Sequence, residues 1–473
     1  MPAGGWRESL RTMSTTIPPI SHLAAALRSH GFVGRLVEPD DPDYDGARRG
    51  WNGAIDRHPS AVAYAIDADD VAACIRAARA EGSAFTIRAG GHSVSGRSIR
   101  EGALCIDVRA LHSVEVDAER GVVSVGGGAL LSELDAATQV HGLAVPGGQI
   151  SHTGVGGLTL GGGLGWLMRH HGLTIDSLLA AEVVLADGSI VGASAHERPD
   201  LFWALRGGGG DFGAVTRFVF RAHRVGPTVL AGVLVYPWER AGDALRAGRD
   251  LMQGAPDALG MFAVLLTAPP EAPFPQQLQG RPVAVLSVAW SGEELAEGER
   301  VLAPLRANCP PALDLVAPMP YVALQSMLDA TAPHGGNYHD RLHYLESVSD
   351  GLIDDLIAGF ATVPTPQAHI IIGWMGGAID RFAAGDTAFG HRGVGAETWL
   401  IGAAGTAPIE PTRDWVRRVS RDIEPYVMAG TYVNALEDGA SIRDAYRDDV
   451  LARLIEVKRR YDPDGVFSGN GIR

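Results

Sequence analysis

The alternation of apolar and polar positions divides the chain into short strands and helices. Residues 61–66 (AVAYAI) form a continuous apolar run of strand length. Asp69 and Asp70 follow as candidate helix caps, and Val71, Cys74, Ile75 and Ala78 then fall at i, i+3, i+4 and i+7. Gly82 ends that helix, and residues 85–88 (FTIR) predict a second strand. This is a compact β-α-β unit whose second strand exits at Gly90-Gly91-His92-Ser93. Further strands are predicted at 104–108, 114–117 and 121–125, the last two as a hairpin, before a helix at 129–141 that buries Leu130, Leu131 and Leu134. Asp187-Gly188 between 181–185 and 189–191 is the strongest hairpin signal. A helix at 199–205 and a strand at 214–221 complete this half.

After Gly226-Pro227 the texture changes. Strands are predicted at 229–236, 283–290, 369–374 and 397–403, with helices at 241–252, 293–305 and 412–423. A last helix covers 450–460, followed by the turn Tyr461-Asp462-Pro463-Asp464-Gly465. The fold class expected is α+β. Two domains are the prior for 473 residues, since a single core stops growing near ~250–300.

Composition narrows the function. Apolar residues are 46% and charged residues 20%, a foldable balance. The net charge of −15 repels a phosphate backbone, so no nucleic-acid partner is expected. No apolar run of ~20 residues predicts a membrane span, and the N-terminal stretch has no secretory apolar region. Met13 is a second candidate start. Three scattered cysteines, Cys74, Cys105 and Cys309, fit neither a zinc site nor a disulfide framework and point to the cytoplasm.

The 61 glycines cluster at 126–128, 147–148, 154–165 and 207–213. Such clusters mark positive φ or close backbone approach. Two patterns mislead. Gly208–Gly213 contains G-x-G-x-x-G, but a helix precedes it and a strand follows, the reverse of a dinucleotide fingerprint. His339-Asp340-Arg341-Leu342-His343 mimics H-E-x-x-H and would admit a metal-dependent hydrolase, yet pocket-lining or surface polarity explains it better.

Five motifs in order carry the main signal. They are Arg88-Ala89-Gly90-Gly91-His92-Ser93-Val94-Ser95-Gly96, Pro146-Gly147-Gly148, the run from Gly154 to Trp166, Gly207–Gly210 with Phe212-Gly213, and the 461–467 turn. Together they closely resemble the FAD-linked oxidases of the vanillyl-alcohol-oxidase/PCMH type, in the berberine-bridge-enzyme-like branch, over nearly the whole chain. Successive glycine amides suit a pyrophosphate, because they form a nest that no side chain obstructs.

The resemblance implies a two-part PCMH-type FAD domain in 1–226 (core about 57–226), a substrate domain with an antiparallel sheet in 227–426, and a segment 427–473 that returns to the FAD domain. It implies FAD attached at its 8α-methyl to His92. Many relatives carry a second link through a cysteine in P-G-G-x-C. Ile150 stands there in this chain, so one covalent bond is expected, as in 6-hydroxynicotine-oxidase-like members. The cofactor contacts implied are Arg88, Ala89, Gly90, Gly91, Ser93, Gly96, Gln149, Thr153, Gly156, Gly157, Gly161, Gly162, Gly163, Gly165, Val215 and Asn470. Thr153 is small enough to leave room for oxygen. Tyr432 and Asn434 match a Y-x-N motif beside the flavin and are the catalytic candidates. Tyr432 would need a cationic neighbour, or the flavin, to act as a base. Trp290, Tyr321, Tyr338, His339 and Trp374 are candidates for the substrate wall. The activity implied is oxidation of a small organic molecule, with molecular oxygen returning the flavin to its oxidised state. A dehydrogenase and an oxidative cyclase are the redox alternatives, with a nicotinamide-dependent reductase behind them.

Overall fold

The computed structural model describes residues 22–437, 439–469 and 471–472. Asn470 and the stretch containing Met1 and Met13 lie outside them.

The fold is α+β and is built on three main sheets. In the first, the strands Ala61–Tyr64 and Phe85–Arg88 both pair in parallel with Leu104–Asp107, which lies between them. The β-α-β unit is therefore open in the middle, and a later strand fills the gap. Arg35–Val37 adds an antiparallel edge. The helix Ala68–Ala80 buries Val71, Cys74, Ile75 and Ala78 as the spacing requires. Its cap is Asp67, which accepts from the Asp70 amide at 2.8 Å. Asp70 turns inward and accepts from the amides of Val33, Gly34 and Ile66 at 2.7, 3.0 and 3.1 Å. Among three neighbouring aspartates the backbone needs decide, and the pattern does not rank them.

The second sheet is antiparallel, in the order Val114–Asp117, Val122–Gly126, Ala214–Arg221, Leu178–Val184, Ile190–Ser194. Its two hairpins are the two that turn chemistry predicts.

The third is an eight-stranded antiparallel sheet. Its centre runs Thr228–Pro237, Pro282–Trp290, Leu259–Thr267, His369–Trp374, Ala396–Ala403, Tyr338–Leu345. Two of these strands escape the sequence pattern. Leu259–Thr267 is buried on both faces and shows no alternation. Tyr338–Leu345 carries polar residues on both faces. The helix Asp350–Phe360 is likewise an addition.

Period two sorts this sheet into two faces. Ala284, Leu286, Val288 and Trp290 pack in one core with Ala244 and Leu245 of the helix Ala241–Met252. Val285 and Ser287, between them, face a cavity. Ile370, Ile372 and Trp374 take the helix side, whereas His369 and Ile371 take the cavity side. Trp290 and Trp374 are therefore core residues under the helices and not substrate wall. His339 and His343 share the helix side, and His343 Nε2 lies 2.7 Å from Ser420 Oγ of the helix Glu410–Asp422. Four residues along a strand span roughly 13 Å, too far for one metal ion. Among the described residues no His/Cys/Asp/Glu cluster suits a metal, and no helix is long and apolar enough to cross a membrane.

Asp70 is 1% exposed and holds three amides. Asp70→Ala is expected to cost about 3 kcal/mol, since each buried unpaired donor costs ~1–3 kcal/mol. Denaturant or thermal unfolding that is unchanged would contradict this account.

Candidate active site and cofactor cavity

A cavity of about 1800 Å³ separates the glycine-rich loops from the open face of the eight-stranded sheet. Ligand pockets commonly hold ~300–1000 Å³. The volume suits a dinucleotide with a second molecule beside it.

The loop side is made of backbone. The strand Phe85–Arg88 ends, and residues Ala89 to Ser95 line the cavity. Among the described residues, no group accepts a hydrogen bond from the amides of Gly90 through Ser95. A run of free amides beside a cavity is a nest for anionic oxygens. Arg57, Arg97 and Arg100 line the same region, and Arg57 also donates to the carbonyls of Gly96 and Ile99 at 2.9 and 3.0 Å. Gly157 faces open space, while Gly156, Gln149, Thr153 and Val215 line the cavity nearby. Donor set and volume fit an FAD.

Several expected cofactor contacts belong to the protein's own packing. A Cβ on Gly161 would meet Asn434 Nδ2 at 2.3 Å, on Gly162 the Phe389 ring at 2.9 Å, and on Gly163 Thr174 Oγ1 at 2.0 Å. On Gly165 it would meet the Gly147 carbonyl at 1.8 Å, and on Gly96 the Ile55 side chain at 2.6 Å. None of the five lines the cavity. Arg88 is buried and donates through Nε to Asp107 at 2.6 Å, which braces the loop from behind.

His92 lines the cavity, and its ring stacks on Trp51 at 4.2 Å; Trp51 stacks in turn on Tyr338 at 3.9 Å. His92 Nε2 lies 3.1 Å from His152 Nδ1, and His334 packs against His152 at 4.7 Å. Burial first, and then the two neighbouring imidazoles, push the His92 pKa down to about 3. It is a neutral imidazole at physiological pH. Trp51, His152 and His334 carried no motif in the sequence, and only the stack reveals them.

Tyr432 and Asn434 both line the cavity. The Tyr432 oxygen accepts from the Gly163 amide at 2.9 Å and from Asn434 Nδ2 at 3.0 Å. Burial raises its pKa, and no cation offsets this. Tyr432 is thus held neutral by the protein's own groups, with its proton free to be donated, and no cationic neighbour makes it a base. Tyr321 is fully buried away from the cavity, in the core with Trp166 and Val229. Of the five substrate-wall candidates only Tyr338 lines the cavity.

The sheet supplies two carboxyls: Asp340, from the 339–343 segment read as pocket-lining or surface polarity, and Glu397, which sequence reasoning missed. Asp340 and Glu397 are 5% and 2% exposed and line the cavity, and each has one oxygen with no partner. Burial pushes their pKa values up to about 7 and about 8. The predicted strand 397–403 already placed Glu397, Trp399 and Ile401 on one face; nothing in the sequence said which face looks inward.

Residues 59–194 match the family described as FAD binding domain. The chain is 28% identical to an FAD-linked oxidoreductase of Dictyostelium discoideum over 423 residues, 89% of this chain and 90% of that protein. Its backbone superposes on the glucooligosaccharide oxidase of Acremonium strictum with a TM-score of 0.82 at 22% identity, over 96% of this chain and 98% of the other. The chain is an FAD-linked oxidoreductase with the fold of berberine bridge enzyme. This oxidoreductase is also 34% identical to the (R)-6-hydroxynicotine oxidase of Paenarthrobacter nicotinovorans over 203 residues, 43% of this chain and 44% of that one.

Two glycine variants separate cavity from packing. Gly157→Leu fills only open space, so the protein is expected to fold yet lose most of its flavin, read from the visible absorbance per chain. Gly165→Ala meets the Gly147 carbonyl and is expected to lower the melting temperature. Full flavin content in Gly157→Leu would remove the cavity as the cofactor site.

Proposed function

We propose that this oxidoreductase is an oxidase of a small organic metabolite, with FAD joined to the chain through His92 alone. The observation that carries the reading is the neutral, stacked His92 within a run of unpartnered amides, facing a wall with two buried carboxyls. When bound, the flavin supplies a two-electron acceptor that oxygen can reoxidise to give hydrogen peroxide.

The remaining tasks belong to the protein. The amides of Gly90–Ser95 with Arg57 and Arg97 would hold the pyrophosphate. With its proton on Nε2 and donated to His152, His92 keeps a lone pair on Nδ1 for the 8α carbon. The Acremonium enzyme carries a 6-S-cysteinyl, 8α-N1-histidyl FAD. Here Ile150 lines the cavity where the sequence motif would place a cysteine, and the free cysteines Cys74, Cys105 and Cys309 are all buried and absent from its lining. In its ionised form Glu397 takes the proton from the substrate's heteroatom, so that an O–H bond forms on the carboxyl as the heteroatom's bond to hydrogen breaks; Tyr432 offers a hydrogen bond from its neutral hydroxyl, and Trp399 shields the reacting face from water.

The working boundaries remain 1–226 and 427–473 for the cofactor part and 227–426 for the substrate part. Three free cysteines support a cytoplasmic location.

Acid-precipitated protein is expected to stay yellow, with a mass increase of one FAD on the peptide containing His92. His92→Ala should release its flavin on precipitation, and His152→Ala should slow attachment to apoprotein. Colourless precipitated wild type would end the covalent reading. Reduced enzyme opened to air should regain its colour at once, with peroxide formed; slow recovery favours a dehydrogenase.

A further inference from the structure

The charge pattern of the substrate wall deepens the functional reading, and rests on it. Three rows of paired residues cross the sheet. In one, His369, Ile401 and Asp340 lie side by side; in the next, Ile371, Trp399 and Leu342; in the third, Gly373, Glu397 and Tyr344. Asp340 and Glu397 therefore sit four residues apart along the sheet, roughly 13 Å. Between them the cavity surface is apolar: Trp399, Ile371, Val264 and, beside Glu397, Phe262. The sheet's contribution to the lining includes no lysine or arginine among the described residues. The cavity's arginines, Arg57, Arg97 and Arg100, all belong to the glycine-loop side.

Glu397 has a built environment. A Cβ on Gly373 would come within 2.9 Å of Glu397 Oε1 and 2.7 Å of the Phe262 ring, so the glycine makes room for the carboxyl. Burial raises the carboxyl's pKa and the neighbouring Trp399 indole offsets part of that rise; the other titratable groups facing it are Tyr344 and Tyr432. Both tyrosines are neutral, and His391, which packs on Tyr344 at 4.5 Å, is held neutral by burial. Oε2 has no partner. A buried carboxylate without a cation is costly, and the protein provides none.

We propose that the substrate is a cationic amine with an apolar body of aromatic size, its N–H⁺ held on Glu397 and its body lying along Trp399 and Ile371. The ammonium is paired by the carboxylate and by the adjacent ring faces of Trp399 and Phe262. Glu397 is then also the acceptor of the ammonium proton: the N–H bond breaks, an O–H bond forms on the carboxyl, and the nitrogen lone pair is freed. Asp340 and His369 lie at the far end of the body and contact its distal polar group.

The pairing has a measurable consequence. Free Glu397, with its pKa near 8, is mostly protonated at pH 7. A cationic amine enters already protonated, so the complex holds one proton fewer than its separated parts. Roughly 0.9 proton per site is released at pH 7. A neutral alcohol hydrogen-bonds to the protonated carboxyl and releases none.

Calorimetric titration of holoenzyme at pH 7 in phosphate and in Tris measures this release. The probe is 2-phenylpropan-2-amine, which has no hydrogen on the carbon next to nitrogen and is not turned over; its neutral match is 2-phenylpropan-2-ol. The amine should bind at least tenfold more tightly than the alcohol and release close to one proton. Glu397→Gln should abolish that release and weaken amine binding by roughly tenfold or more, with alcohol binding unchanged. Asp340→Asn should keep most of the release. Because a raised carboxyl pKa removes stability as pH rises toward 8, Glu397→Gln should melt no lower than wild type at pH 8.5, which shows that it folds. No amine binding, amine binding without proton release, or equal binding by Glu397→Gln overturns the proposal. Holoenzyme without flavin is seen in the absorbance before any titration, and it would overturn the cofactor reading instead.

Discussion

The close crossing of two backbones at Gly90 and Gly154 is the constraint on which the site depends. A Cβ on Gly90 would lie 2.4 Å from the Gly154 amide nitrogen, and one on Gly154 would lie 2.4 Å from the Gly90 nitrogen. Only two glycines allow the loop after Phe85–Arg88 to rest on the start of the helix Val155–Gly161. That contact leaves the amides of 90–95 facing the cavity and carries His92 into the stack with Trp51. Arg88, buried against Asp107, fixes the loop from the other side. The nest and the histidine are thus consequences of one packing contact.

The opposite wall obeys a different rule. A sheet covered on one face by helices must place apolar residues on that face, and the other face is free to carry chemistry. The strand Ala396–Ala403 gives Leu400 to the helix core and Glu397, Trp399 and Ile401 to the cavity. The strand Tyr338–Leu345 gives Asp340 and Tyr338 to the cavity and His339, Arg341 and His343 to the helix side. A cavity wall and a hydrophobic core are made from the same short segments. Substrate chemistry can therefore change at alternate positions without disturbing what holds the sheet to its helices.

The two walls also differ electrostatically. The loop wall offers amides and arginines, the complement of a pyrophosphate. The sheet wall offers carboxyls and aromatic faces. Opposed potentials across one cavity favour an anionic group on the loop side and a cationic group on the sheet side. Tyr432 and Asn434, from the C-terminal segment, sit against the helix Val155–Gly161 through the Asn434 contacts with the carbonyls of Gly157 and Leu158 at 3.2 and 3.4 Å.

Much was determined by the sequence itself. The strand spacing, the Asp187-Gly188 hairpin and the ordered glycine clusters rest on local rules, in which i, i+2 and i+4 positions or a required φ speak for themselves. His92 was legible because its motif is contiguous. What a glycine is for was not legible: Gly157 faces open space, while Gly161 to Gly165 yield to Asn434, Phe389, Thr174 and Gly147, partners up to hundreds of residues away. Nor was the inward face of a strand, so Trp290 and Trp374 look like wall in sequence and are core in the fold, and Glu397, which no motif marks, is wall. Period two fixes which residues share a face; only the helices packed on the sheet decide which face is closed, because that choice is made by contacts distant in the chain.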